Sequence, residues 1–232
     1  MNIKCYYFGV LRACCAVLWE KGPDCVVVDA SFYEPEEKQA LYEFFRSTGL
    51  EPRAILLTHA HFDHIEGVKA LSDDFGGLPV YLSFADAPVI ENLERQCRFL
   101  GQRVPSLDVP LQDIHDGEVL RFGDIELEVL TTPGHSPGSV CYLDRKGQLL
   151  MSGDTLFAGT IGRTDLGNGD YDQLMESIRT KLLPLDGEIE VFPGHGTPTS
   201  IAVERATNPF LQPFNEPYEE DAAYSLNVMD KE

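Results

Sequence analysis

The chain has 232 residues and 43% hydrophobic content, ordinary for a globular protein and enough to bury a sizeable core. Its 18 Lys and Arg against 38 Asp and Glu give a formal charge of −20, which argues against nucleic acid or an anionic membrane surface as a partner. No apolar run approaches a membrane span, Met1–Tyr6 does not open a signal peptide, and the 6 Cys (5, 14, 15, 25, 97 and 141) form no C-x-x-C pair. These features predict reduced, buried thiols and a cytoplasmic protein.

Residues 3–10 and 14–19 alternate loosely and predict two strands, with Cys14-Cys15 packing at a strand end rather than forming a redox or metal pair. Cys25–Asp29 is a third, β-branched strand. Asp29 at its end either supports a ligand loop from behind or starts the next turn. Pro35–Thr48 carries Ala40, Leu41, Phe44 and Phe45 at helical spacing, with Glu36, Glu37 and Lys38 on the wet side and Gly49 as the stop. Ala54–Leu57 predicts a buried strand that runs into Thr58-His59-Ala60-His61-Phe62-Asp63-His64, and Ile65–Val68 reads as the start of the following helix.

Further along, 68–75 predicts a short helix closed by Gly76-Gly77, 79–83 a strand, and 86–100 a helix with Pro88 in its first turn. Residues 101–113 read as irregular. Val119–Phe122 and Ile125–Leu130 predict one hairpin, Val140–Leu143 and Leu149–Ser152 another. A glycine-rich loop over 159–169 leads to Asp170, which with Gln173 predicts a capping box for a helix burying Tyr171, Leu174, Met175, Ile178 and Leu182. Ile189–Phe192 predicts a last strand, 201–206 a short helix, and 211–232 an acidic, loosely docked end. No Pro/Gly/Ser-rich linker divides the chain, so residues 1–232 read as a single domain.

The polar residues that carry chemistry fall just past strand ends. Three of the 6 His lie within residues 59–64, beside Asp63. His59 and His61, two apart in extended backbone, point to one side. Asp63 and His64 reach a second point once the chain bends, so the cluster suggests two neighbouring metals. His135 and His195 each follow a Pro-Gly that can aim an imidazole inward, and Asp154 follows Gly153. His115 precedes a turn signal and reads as a surface residue.

The run His59-x-His61-x-Asp63-His64, with Thr132–Ser139, Ser152–Phe157 and Phe192–Gly196, resembles the metallo-β-lactamase superfamily. Gly162–Asp165 and Glu204–Phe210 are similar to its compact bacterial members related to glyoxalase II. The resemblance implies an α/β fold, the αββα sandwich, with a site at the shared edge of two sheets. It implies that His59, His61 and His135 hold one metal, that Asp63, His64 and His195 hold a second, and that Asp154 bridges them. The metals would be divalent ions, zinc first, with iron or manganese as alternatives. A metal-bridging hydroxide would attack a small acyl thioester such as S-lactoylglutathione, with Asp63 orienting it. Thr58 and Asp29 would support the ligands. Arg163 would either meet an anionic group of the substrate or form a structural salt bridge.

The same segments also resemble persulfide dioxygenases, which use one iron on the equivalents of His59, His135 and Asp154. Glyoxalase II proper carries a further basic helical region, so its thiol carrier is not implied. A β-lactamase is disfavoured by the absence of an export signal and by Asp154. A nuclease is disfavoured by charge. A non-enzymatic metal-binding protein is the alternative of another class, and the complete ligand set argues against it.

Overall fold

The computed structural model describes residues 1–214; most of the acidic end, 215–232, lies outside the described residues. One sheet has six strands in sequence order: β1 (Asn2–Phe8), β2 (Ala13–Trp19), β3 (Asp24–Val28), β4 (Glu51–Leu56), β5 (Val80–Leu82) and β6 (Leu111–Asp113). Its first three strands are antiparallel neighbours and β3 to β6 run parallel. The second sheet is built from β7 (Val119–Phe122), β8 (Ile125–Thr131), β9 (Val140–Asp144) and β10 (Leu149–Gly153). After a small hairpin of β11 (Leu156–Phe157) and β12 (Thr160–Ile161), it is completed by β13 (Glu190–Pro193) and β14 (Thr199–Ser200), in the order β14-β13-β10-β9-β8-β7.

The continuous apolar runs of β2, β3, β9 and β10 follow from burial on both faces. Alternate residues Cys14, Ala16, Leu18, Val26 and Leu56 meet Leu127, Val129, Tyr142 and Met151 between the sheets. The opposite set, including Val17, Val27 and Ile55, packs against the helices α1 (Pro35–Thr48), α2 (Phe62–Ile65) and α3 (Val68–Asp74). On the far side, Cys141, Leu143 and Leu150 are covered by Leu174, Ile178, Leu182 and Ile201. The expected αββα layering is the observed one. Leu41 and Phe45 bury the inner face of α1, each worth about 1.5–3 kcal/mol on full burial, and Gly49 at φ 73° ends that helix.

Several elements depart from the sequence reading, each for a local reason. The turn after the histidine cluster begins earlier, with His61 as the N-cap of α2. The helix expected over 86–100 is two, α4 (Ala87–Glu91) and α5 (Leu93–Leu100), parted at Asn92. Within 101–113, β6 adds an edge strand beside β5. The glycine-rich loop contains β12. Tyr171, expected in the core, is 50% exposed at the start of α6 (Tyr171–Ser177), whose other apolar positions are buried. Ala40 is exposed too. Glu37 is not a wet-side residue: its carboxylate accepts from the backbone N–H groups of Gly9, Tyr33 and Glu34. All six cysteines are free and only Cys5 is other than buried. No helix among the described residues is long and apolar enough to cross a membrane.

Two hydrogen bonds tie the sheets together next to the ligand loop. The fully buried Tyr142 of β9 donates from its hydroxyl to the carbonyl of Leu57 at 2.8 Å, and Val140 N–H donates to the carbonyl of Thr58 at 2.8 Å. Replacing Tyr142 by Phe leaves the Leu57 carbonyl without that donor in an apolar layer. Tyr142→Phe is expected to lower unfolding free energy by about 1–3 kcal/mol in urea titration; a change below about 0.5 kcal/mol would show that the tie contributes little.

Candidate metal centre

Four strand ends deliver the predicted residues to one place. The segment after β4 carries His59 and His61, and α2 turns Asp63 and His64 onto the same pocket. The loops after β8, β10 and β13 bring His135, Asp154 and His195. Nδ1 of His61 lies 2.9 Å from Nε2 of His135, and Nε2 of His64 lies 3.3 Å from Nε2 of His195. Asp63 Oδ2 is 3.3 Å from His195 Nε2. Asp154 sits between the two sets, Oδ1 3.6 Å from His64 Nε2 and Oδ2 3.5 Å from His135 Nε2. Among the described residues, three overlapping groups have donor atoms within 4.8 Å of one another: His59, His61 and His135; His59, His64 and Asp154; Asp63, His64 and His195. His195, 27% exposed, and Asp154, 11% exposed, form the open side. His115 stands apart, on the surface.

The partners behind four of the five rings, all but His61, fix their tautomers, because carbonyl and carboxylate oxygens only accept. His64 Nδ1–H donates to Asp29 at 2.8 Å. His135 Nδ1–H donates to the carbonyl of Arg163 at 2.7 Å, and His195 Nδ1–H to the carbonyl of Leu11 at 3.1 Å. Thr58 donates its hydroxyl to Asp29 at 2.7 Å, so its oxygen is left to accept from His59 Nδ1 at 3.0 Å. In each neutral ring Nε2 is then bare and points inward. His59 Nε2 and Asp154 Oδ1 are buried with no hydrogen-bond partner. Ring nitrogens about 3 Å apart need a proton or a cation between them, and with His59 Nε2 and Asp154 Oδ1 left unpartnered this donor set fits divalent metals.

Asp29 stands at the turn after β3 and also bonds into the candidate centre. It lies in the left-handed region at φ 52°, turning the chain out of β3. Its buried carboxylate also accepts from Thr58 N–H at 2.8 Å, besides Thr58 Oγ1 and His64. Each Pro-Gly before a histidine is a matter of space. A Cβ on Gly134 would collide with the backbone of Leu174, and one on Gly194 with Asp154 and His64. The guanidinium of Arg163 pairs with Asp165 through Nε at 2.7 Å and a terminal nitrogen at 2.9 Å, both side chains exposed.

Sequence reading missed the backbone carbonyls of Leu11 and Arg163 as ring partners, since any residue type can supply a carbonyl. The Glu204–Asn208 segment stood out without a stated role. Buried Glu204 accepts from Gly159 N–H, Thr199 Oγ1 and Asn208 Nδ2, and Asn208 also donates to the Thr160 carbonyl. These bonds pin the hairpin that leads to Gly162 and Arg163.

The profile of the Metallo-beta-lactamase superfamily matches residues 10–195. The chain belongs to this superfamily. It is 34% identical over 214 residues to the hydroxyacylglutathione hydrolase GloC of Haemophilus influenzae, covering 91% of this chain and 98% of that one. Among solved structures, the BLEG-1 B3 metallo-beta-lactamase superposes with a TM-score of 0.83 at 37% identity, over 90% of this chain and 99% of that one. TTHA1623 in a di-iron-bound form gives 0.79 at 40% identity, over 90% and 100%. The chain is thus a metallo-hydrolase of this superfamily, whose fold implies divalent metal binding.

The pocket's electrostatics set its behaviour without metal. Burial, then the neighbouring imidazoles, holds His59 well below its ordinary value. Burial and His135 hold His61 down at about 3. Burial also opposes a charge on His64, but Asp63, Asp29 and Asp154 overcome it and lift that ring to about 10. Asp63 is pushed up by burial, yet His64 and His195 bring it down to about 2. Near pH 7.5 the metal-free centre therefore carries its proton on His64, below its raised value, while His61 and Asp63 carry none. Metal uptake needs bare nitrogens and must expel that proton. Titration calorimetry of the metal-free protein with zinc in buffers of different ionisation heat should show release of about one proton or more per chain at pH 7.5. Uptake with no proton release would contradict this charge distribution.

Proposed function

We propose that this chain hydrolyses a small acyl thioester of the hydroxyacylglutathione type at a two-metal centre. The observation that carries the reading is the convergence of two histidine-rich donor sets on one carboxylate, Asp154. The similarity to a hydroxyacylglutathione hydrolase over almost its whole length supports the substrate class. His59, His61 and His135 would hold one ion, Asp63, His64 and His195 the other, and Asp154 would lie between them. Such ions, when bound, lower the pKa of water towards neutrality and polarise a carbonyl. Zinc is the first choice for imidazole and carboxylate donors, and iron or manganese fit the same set.

The chain's own residues supply orientation and charge. Asp63, ionised because of His64 and His195, would orient a water held at the centre. Asp29 and Thr58 keep His59 and His64 in the tautomer that turns Nε2 inward. Arg163 borders the pocket, with its carbonyl on His135 and its charge lowering the basicity of His61. A thioester with a free carboxylate could exchange for Asp165 on that guanidinium.

A mononuclear iron dioxygenase of persulfides is the second reading, favoured by the subset His59, His135 and Asp154 within the same pocket. A panel of substrates separates the candidates. S-lactoylglutathione should be hydrolysed with little turnover of β-lactams. If thioesters and β-lactams are inert while glutathione persulfide drives oxygen uptake, the second reading replaces the first; β-lactam turnover alone would favour a lactamase. Arg163→Ala should raise KM for an anionic thioester by about tenfold or less, with kcat little changed and a smaller effect on a neutral thioester. A charge-assisted contact is worth roughly 1.5–3 kcal/mol, and exposure and competition from Asp165 reduce it here. An unchanged KM would confine Arg163 to its carbonyl's bond with His135.

A further inference from the structure

Asp86 closes the short turn Phe84–Asp86 after β5 and is 1% exposed. No cation is paired with its carboxylate among the described residues. It accepts three bonds instead: Ala60 N–H to Oδ2 at 2.7 Å, Gly138 N–H to Oδ1 at 2.6 Å and Ser136 Oγ to Oδ2 at 3.1 Å. Ala60 lies between His59 and His61, and Ser136 and Gly138 follow His135. A Cβ on Gly138 would crowd the Asp86 side chain and its N–H alike, so only glycine lets this loop come so close.

Burying a carboxylate without a cation is costly unless hydrogen bonds compensate. Every hydrogen bond that the Asp86 carboxylate accepts comes from one of two ligand loops. Its two oxygens are held at a fixed covalent separation, so bonding Ala60 through one and Gly138 through the other fixes the distance between the loops. Across the same two loops His61 Nδ1 lies 2.9 Å from His135 Nε2. The other donor set leans on Asp29 and Leu11, and neither touches Asp86.

We infer that Asp86 is a positioning residue that sets the spacing of the His59, His61 and His135 group, and thereby the affinity of that group alone for a divalent ion. The inference rests on the two-metal reading above. It makes Asp86 the counterpart of Asp29, so that residues 58–60 hang between two buried carboxylates.

The test is zinc binding to the metal-free full chain by chelator competition. His61→Ala identifies which of the two binding steps belongs to the first group. Asp86→Asn keeps the volume but removes one acceptor. It should weaken that step by about 10- to 100-fold, the usual cost of losing a group that orients a ligand, and change the other by less than about threefold. Ser136→Ala, which spares the carboxylate, should weaken the same step by a few fold. Cobalt(II) bound in that group should show a shifted visible spectrum in Asp86→Asn. Both steps unchanged, or both weakened together with the melting temperature of the metal-free protein, would overturn the inference and leave Asp86 as a fold residue. If Asp86→Asn does not fold, Ser136→Ala decides it, and no selective weakening there overturns it. Should the parent bind two ions with the variants unaffected, the inference fails and the two-metal reading stands. Should the parent bind none, the reading itself fails and takes the inference with it.

Discussion

Imidazole nitrogens that face one another inside a protein need a proton or a cation between them. Around the candidate centre, His59, His64, His135 and His195 all have their outer nitrogen engaged by a protein oxygen. Their inner nitrogens are thereby committed to one small volume shared with Asp63 and Asp154. Left to itself that volume draws a proton onto His64; divalent ions satisfy it more completely. Much of the architecture reads as the means of maintaining this unfavourable convergence.

The sandwich does so by stiffness. Both faces of β2, β3, β9 and β10 are buried, so the strands that feed the ligand loops cannot slide without turning side chains out of a packed layer. The loops are then held by short polar links. Tyr142 and Val140 tie the start of the histidine segment to the second sheet, Asp29 and Asp86 grip it from two sides, and Glu204 steadies the hairpin that leads to Arg163, the partner of His135. An acidic chain can act on an anionic substrate only where the local sign is reversed, which bound metal and Arg163 would do.

A large part of this was legible in the sequence. Strand runs such as 25–28 and 140–143 are apolar throughout because both faces are covered, and the stop at Gly49 follows from its freedom at positive φ. The candidate donors stood out because three histidines in six positions, and others after Pro-Gly, have little reason to arise from packing. What escaped was set by tertiary context. Tyr171 shares the helical spacing of Leu174 and Ile178 yet sits at the first turn, beyond the sheet's cover. The edge strand Leu111–Asp113 is chosen by the free edge of β5 rather than by its own residues. Asp86 looks like any turn aspartate until Ala60 and Gly138, distant in sequence, are seen to donate to it. The carbonyls of Leu11 and Arg163 leave no mark in the sequence at all.

The central claim is that two ions share this pocket with Asp154 between them. Metal analysis by mass spectrometry, on protein purified without added metal and again after equilibration with zinc, tests it most directly. The account predicts close to two divalent ions per chain when replete and a loss of binding in Asp154→Ala. One iron per chain that resists a second equivalent, or two ions retained after Asp154 is removed, would contradict it.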